Sequence, residues 1–138
     1  MSRLEVTASP SSDELAAIGE GLSAFNDADV GPSQRKSLAV LIRDVEGSVV
    51  GGLSGYTAWG WLFTQWLFIP EALRGSGMAG RLLAEAENEA RARGCHGAWI
   101  DTFSPLARKA YMRQGYEIFG ELPDFPKGRT RTFLKKAL

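Results

Sequence analysis

Cysteine and histidine are nearly absent, with Cys95 and His96 the sole example of each. One thiol cannot close an intramolecular disulfide or build a cysteine-based zinc site, and one imidazole cannot form a histidine-rich metal cluster. Net charge is also missing, since 16 Lys and Arg balance 16 Asp and Glu. A chain that coats phosphates carries a basic excess, so nucleic acid is not an expected partner. There is no long apolar run either. The most apolar stretch, Trp59 to Ile69, is broken by Gly60, Thr64 and Gln65 and falls short of the roughly 20 residues that span a bilayer. The opening Met1 to Val6 does not follow the basic, apolar, small-residue order of a secretory signal. These absences point to a reducing, cytoplasmic setting with no metal and no membrane partner.

What is present is ordinary for a folded protein. An apolar fraction of 44% and a charged fraction of 23% over 138 residues predict one domain, residues 1–138, able to build a core without staples. Leu4 to Ala8 reads as a short strand. Ser9 to Glu14 then offers N-caps before Leu15, Ile18 and Leu22 recur at helical spacing, and that helix is expected to end near Phe25 to Asp27. Gly31-Pro32-Ser33 marks an irregular connection with room for a second short helix. Leu38 to Arg43 and Val49 to Ala58 form a hairpin across Asp44 to Ser48, and Trp61 to Ile69 continues as a third strand until Pro70. Alternation sends Trp59, Trp61 and Phe63 to one face, and the aromatics of this strand, Trp66 and Phe68 included, read first as core or dimer contacts.

The second half alternates differently. Gly77 to Arg93 places Met78, Leu82, Leu83, Ala86 and Ala90 on one helical face, with Gly94 as its C-terminal cap. Gly97 to Phe103 is a strand, and Ser104-Pro105 caps a helix over Leu106 to Gln114 that Gly115 closes. Tyr116 to Gly120 and Thr130 to Leu134 are the last strands. This order predicts an α+β domain with a mixed, mostly antiparallel sheet flanked by helices on both faces.

The chemistry is concentrated in Ile69 to Leu83, a strand delivering a glycine-rich turn into a helix. First-turn N–H groups of a helix have no intrahelical partner and carry partial positive charge, and glycine lets an anion approach them closely. A Walker loop is excluded because Gly80-Arg81-Leu82 stands where Lys and Ser/Thr are required. Gly75, Gly77 and Gly80 do run at G-x-G-x-x-G spacing. They follow β-hairpins, however, and do not open a βαβ unit, and Asp101 is only a late candidate for the acid that binds ribose.

Arg74-Gly75-Ser76-Gly77-Met78-Ala79 resembles the pyrophosphate loop of the GNAT acyltransferase superfamily, [Arg/Gln]-x-x-Gly-x-[Gly/Ala]. Ser104 to Tyr116 is similar to that superfamily's Asn-x-x-Ala-x-x-Phe-Tyr-x-x-x-Gly-Phe helix and turn. The resemblance covers about residues 37–136 and implies the acyl-CoA N-acyltransferase fold. The implied activity is transfer of an acetyl group from acetyl-CoA, as co-substrate, to a primary amine by direct attack through a tetrahedral intermediate. Arg74, Gly75, Ser76, Gly77, Met78, Ala79 and Gly80 would then hold the pyrophosphate. Leu67, Phe68 and Ile69 would pair with pantetheine, and an N–H near Leu67 would stabilise the oxyanion. Tyr111 would protonate the departing thiolate. Ser104 stands where an asparagine contacts pantetheine.

Gln65 occupies the place where many members of the superfamily carry a glutamate base. Glutamine cannot take a proton, so its expected role is to orient a water or the acceptor, with Asp101 a less favoured substitute. Asn26 and Asp27, together with Asp29, follow the first helix where the superfamily borders its acceptor, and are the candidate substrate contacts. The acceptor would be a small-molecule amine or a peptide, and the resemblance alone suggests a homodimer. The alternative reading is a non-catalytic acyl-CoA-binding or regulatory module that has lost proton handling at Gln65. A protein-interaction domain resting on the aromatic strand is a third.

Overall fold

The computed structural model describes residues 2–138 and falls into two compact units, residues 2–33 and 34–138. The first holds helix α1, Ser12–Val30. A reciprocal cap opens it: Ser11 Oγ accepts from the Glu14 N–H at 3.1 Å, and Glu14 Oε1 accepts from the Ser11 N–H at 2.8 Å. Those hydrogen bonds hold the Glu14 carboxyl below its usual range. The helix ends at Gly31, which takes φ 89°. It therefore runs past the expected stop at Phe25 to Asp27, no second helix follows, and residues 4–8 form no strand. A strand needs a partner edge, and apolar alternation over five residues does not supply one.

The second unit is a six-stranded sheet of β1 (Lys36–Arg43), β2 (Val49–Ala58), β3 (Trp61–Phe68), β4 (Gly97–Thr102), β5 (Glu117–Pro123) and β6 (Thr130–Ala137). Its spatial order is β1-β2-β3-β4-β6-β5. Every neighbouring pair is antiparallel except β3 and β4. Helix α2 (Met78–Ala92) links that parallel pair, as such a crossover requires, and α3 (Pro105–Arg113) follows β4. Turn chemistry sets the first hairpin, where Asp44 Oδ1 accepts from the N–H groups of Glu46 and Ser48, both at 2.9 Å. Among the described residues, no helix is long and apolar enough to cross a membrane.

The core forms on one sheet face. Leu38, Leu53, Leu62, Ala98, Ile100 and Leu134 meet Leu82, Leu83, Ala86 and Ala90 of α2, and each fully buried leucine contributes about 1.5–3 kcal/mol. Trp61, Phe63 and Trp99 belong to the opposite face, with the Phe63 and Trp99 rings stacked at 4.0 Å. Trp66 and Phe68 do not enter the core, and are 69% and 57% exposed.

Between β2 and β3 the register slips by one residue. Gly55 faces Thr64 and Ser54 faces Trp66, leaving Gln65 as the extra residue of a β-bulge. A Cβ on Gly55 would strike the Phe63 carbonyl oxygen, so only glycine fits there. The slip reverses side-chain parity: Leu62 and Thr64 face the core before it, Leu67 and Ile69 after it.

One buried charge ties α2 to the far side of the sheet. Glu87, 1% exposed, lies on the apolar stripe of α2. It accepts from Lys136 Nζ at 2.7 Å, Tyr116 Oη at 2.9 Å and Gln114 Nε2 at 3.4 Å. Burial, first, and the neighbouring Glu87 carboxylate push the Tyr116 hydroxyl well above the normal tyrosine range, so it stays a donor. Removing one member strands the others. Glu87→Ala is expected to lower unfolding stability by about 3–5 kcal/mol, read as a drop in urea midpoint at unchanged m-value, whereas truncating exposed Glu85 should change it by less than about 0.5 kcal/mol.

Candidate active site

The parallel pairing of β3 with β4 covers only Trp61 to Thr64 against Gly97 to Ile100. Beyond those residues β3 continues to Phe68 and β4 to Thr102, but they no longer pair with each other. The bulge at Gln65 lies at the point of separation, where added twist and bend turn β3 away. An opening flanked by backbone edges results, with Leu67 and Phe68 on one side and Asp101 and Thr102 on the other. Gln65 is exposed at its apex. Thr64, 1% exposed, leaves its Oγ1 buried with no hydrogen-bond partner. Sequence reasoning missed Thr64; the available signal was a hydroxyl at a core-facing position of an aromatic and aliphatic strand.

Chain beyond the opening forms the glycine-rich turn. A short 3-10 turn, Glu71–Leu73, precedes it. Arg74 folds back so that its Nε donates to the Ile69 carbonyl at 2.9 Å, and Ser76 Oγ donates to the Leu73 carbonyl at 2.8 Å. Gly75 and Gly77 both take φ 78°, a left-handed conformation that strains any residue with a Cβ. Gly77 is the N-cap of α2 and has no side chain with which to cap it, and the first turn contains no acid. The amides of Met78, Ala79 and Gly80 thus begin a 15-residue helix with its positive end uncapped. A diphosphate fits this cradle, and an extended chain with amide groups fits the open strand edges.

Tyr111 stands on α3, close enough to Asp101 at the end of β4 to feel its charge. It is 4% exposed, no group among the described residues hydrogen-bonds its hydroxyl, and that hydroxyl is not sealed from solvent. Burial, and secondarily the nearby Asp101 carboxylate, push it up to about 12. It therefore holds its proton throughout the neutral range and can give one to a strong base formed beside it. Asp101 is already engaged, its Oδ1 accepting from Arg131 Nη1 at 2.6 Å, which disfavours it as a free base. Ser104 serves as the N-cap of α3, its Oγ accepting from the Ala107 N–H at 3.3 Å. Its side chain also lines a cavity of about 170 Å3 between the start of α3 and the chain from Gly128 to Thr132. A larger apolar hollow among Trp61, Trp99, Phe119 and Phe133 lies on the other sheet face, at the end away from the glycine turn.

Gln65, Leu67, Phe68, Ile69, the Arg74–Gly80 turn, Ser104 and Tyr111 all lie in the second unit, on β3, the turn that follows it, and α3. Asn26 and Asp27 do not follow the first helix as expected. They are part of α1 in the N-terminal unit, where the Asp27 carbonyl accepts from the Gly31 N–H at 3.0 Å.

A sequence model of the Acetyltransferase (GNAT) family matches residues 12–116. The chain is 49% identical over 120 residues to Acetyltransferase Atu2258 of Agrobacterium fabrum, covering 87% of this chain and 88% of that one. It is 39% identical over 93 residues to a blasticidin-S acetyltransferase of Streptomyces morookaense, covering 67% of this chain and 68% of the relative. The crystal structure of a putative acetyltransferase from Agrobacterium tumefaciens superposes with a TM-score of 0.95 at 43% identity, over 99% of this chain and all of the other.

The Tyr111 hydroxyl gives a direct check on the geometry. Its proton is held more tightly in the folded state than at the usual tyrosine value of 10.0, so the linked stabilisation is complete below pH 10 and is lost as pH rises toward about 12. In a difference titration at 295 nm against Tyr111→Phe, the missing phenol should ionise near pH 12; ionisation near 10 would show an exposed hydroxyl.

Proposed function

The chain belongs to the GNAT family of acetyltransferases, and from that premise we propose that it moves an acetyl group from acetyl-CoA to the primary amine of a small molecule. Residues 1–138 act in this reading as one catalytic domain. The observation that carries it is the joining, at one place, of an uncapped helix start and a strand edge that has lost its parallel partner. Acetyl-CoA, when bound, supplies an acyl carbon activated by sulfur, on which the amine's N–C bond would form first, through a tetrahedral intermediate, and the C–S bond would break as that intermediate collapses.

Each participating residue has a limited task. Amides from Gly75 to Gly80 hold the diphosphate, with Arg74 at the rim. Free backbone groups of Leu67 to Ile69 align the amide-bearing arm as an added strand would be aligned. A backbone N–H near Leu67 donates to the carbonyl oxygen as negative charge develops there, where a fixed dipole costs no reorganisation. Tyr111 gives its proton to the sulfur as it leaves. Gln65 orients the incoming amine or a water beside it, and the amine's surplus proton passes to solvent, since the carboxylate flanking the opening, Asp101, is paired with Arg131.

The blasticidin-S relative supports a small-molecule amine over a peptide as acceptor. A homodimer is compatible with this assignment and does not enter the chemistry.

Acetyl-CoA at a hundredfold excess over its Kd should stabilise the fold by about 2.7 kcal/mol, seen as a rise in Tm. Gly77→Glu should remove that rise, because it puts a Cβ at a left-handed position and a carboxylate in the cradle. Tyr111→Phe should keep the rise but lower kcat by about a hundredfold or more, measured as thiol release with a panel of amines. A full Tm response without thiol release from any amine would identify a coenzyme-binding module, and no response at millimolar acetyl-CoA would remove the assignment altogether.

A further inference from the structure

The cavity beside Ser104 has walls of one electrostatic sign. Thr102, Ser104, Arg108, Arg129, Thr130 and Thr132 supply its polar lining, and no carboxylate is among the lining residues. Arg108 is half-buried there, and its guanidinium makes no hydrogen bond or ion pair among the described residues. Arg129 spends one N–H on the Phe103 carbonyl at 3.2 Å and keeps the others. Thr132, 1% exposed, forms part of the floor. The start of α3 adds its positive end, with no acid in the first turn. Of the carboxylates close by, Asp124 accepts from the Gly128 N–H at 3.2 Å, and Asp101 is matched by Arg131, whose Nε is itself buried without an acceptor. Taken together, the lining holds guanidinium donors of Arg108 and Arg129 and no carboxylate of its own to receive them.

Position ties this cavity to the proposed reaction. Thr102 lies two residues past Ile100, the last residue of β4 that pairs with β3, or about 7 Å along the strand. Ser104 lies seven residues before Tyr111 on one helix, or about 10 Å along it. An acceptor whose amine enters the opening can therefore reach the cavity with a group several bonds away. At about 170 Å3 the space suits a single charged group and not a whole drug-sized molecule.

We infer that the acceptor carries an anionic group, a carboxylate or a phosphate, which Arg108 and Arg129 bind in this cavity while the amine is acetylated at the β3–β4 opening. This rests on the acetyl-transfer reading and adds the substrate class. Guanidinium forks suit both anions through paired N–H donors, and the threonine hydroxyls supply further donors.

The test uses the full chain with ω-amino acids of two to six carbons, their neutral amides, and aminoalkyl phosphates of matching length. Carboxylate or phosphate acceptors long enough to bridge the two places should exceed their amide counterparts at least tenfold in kcat/KM. Arg108→Gln and Arg129→Gln should bring that ratio toward one by raising acceptor KM, with Kd for acetyl-CoA unchanged. A binding arm needs no turnover: 6-aminohexanoate should raise Tm in the parent chain and less so in Arg108→Gln, while 6-aminohexanamide should not. Equal use of acid and amide overturns the inference, as does weaker acetyl-CoA binding by Arg108→Gln, which would assign the guanidinium to the coenzyme's own phosphates. If the Tm response to 6-aminohexanoate persists and depends on Arg108 while no amine is acetylated, the anion site stands and the transfer reading fails.

Discussion

The arrangement of the site depends on one unpaired residue in one strand. Had Gln65 paired in register, β3 would have kept even-numbered side chains toward the core as far as Phe68, and β3 and β4 could have stayed together to the ends of both strands. The bulge denies this by reversing parity and bending β3 where parallel pairing stops. Two consequences follow from the same slip. Leu67 and Ile69 become core residues, which anchors the strand immediately before the glycine turn. Backbone edges on both sides of the opening are left free to pair with an extended ligand, which a continuous sheet would have forbidden.

An open sheet and an uncapped helix start are both unfavourable unless something holds them in place. Much of that restraint lies on the body of α2. Leu82, Leu83, Ala86 and Ala90 seat the helix on the sheet, and Glu87 fastens it to Lys136 on β6 and to Tyr116 just after α3. Since the Tyr116 N–H also donates to the Tyr111 carbonyl at 3.0 Å, the ion-paired cluster and the candidate proton donor are mechanically continuous. A buried carboxylate on a core stripe would be costly if unpaired. With three donors around it, the charge fixes α2 against the end of α3 and so fixes the turn Arg74–Gly80 relative to Tyr111.

Local signals were readable and cross-strand ones were not. Arg74-Gly75-Ser76-Gly77 announced a left-handed turn before a helix because glycine's freedom is a property of single residues, and Ser104-Pro105 announced α3 in the same way. Both elements sit within a residue or two of expectation. The bulge was invisible because register belongs to the pairing of β3 with Gly55 on β2, not to Gln65 itself. For the same reason Trp66 and Phe68 read as core residues: before the slip is known, alternation cannot say which face they take. The N-terminal strand failed because Leu4 to Ala8 has no edge to join, and Asn26 and Asp27 remained in α1 because the helix continued until Gly31 could end it. Glu87 was legible in principle, as an acid three residues before Ala90 and four after Leu83, but its partners come from residues 27, 29 and 49 positions away. The cavity is likewise assembled from residues 102–108 and 128–132, which only the fold brings together.

Proton handling connects the two halves of the site. Tyr111 can donate but, held near 12, cannot act as a base at neutral pH, and Gln65 cannot act as one at all. An ordinary alkyl amine with a pKa near 10 is neutral in only about one molecule in a thousand at pH 7, so an acetyl acceptor here needs some other source of deprotonation. Like charge provides one: a cation brought near guanidiniums loses part of its preference for the protonated form. An amine that also carries an anion is shielded from this in water by its own opposite charge. In the anion-site reading, once Arg108 and Arg129 have taken up that anion, the ammonium is left without its internal partner at the mouth of a site whose flanking carboxylate, Asp101, is already paired with Arg131. Binding the far end of such a molecule therefore lowers the proton affinity of its near end. In that reading the arginine-lined cavity makes the ammonium easier to deprotonate, and solvent takes up the proton that a carboxylate at position 65 would accept directly.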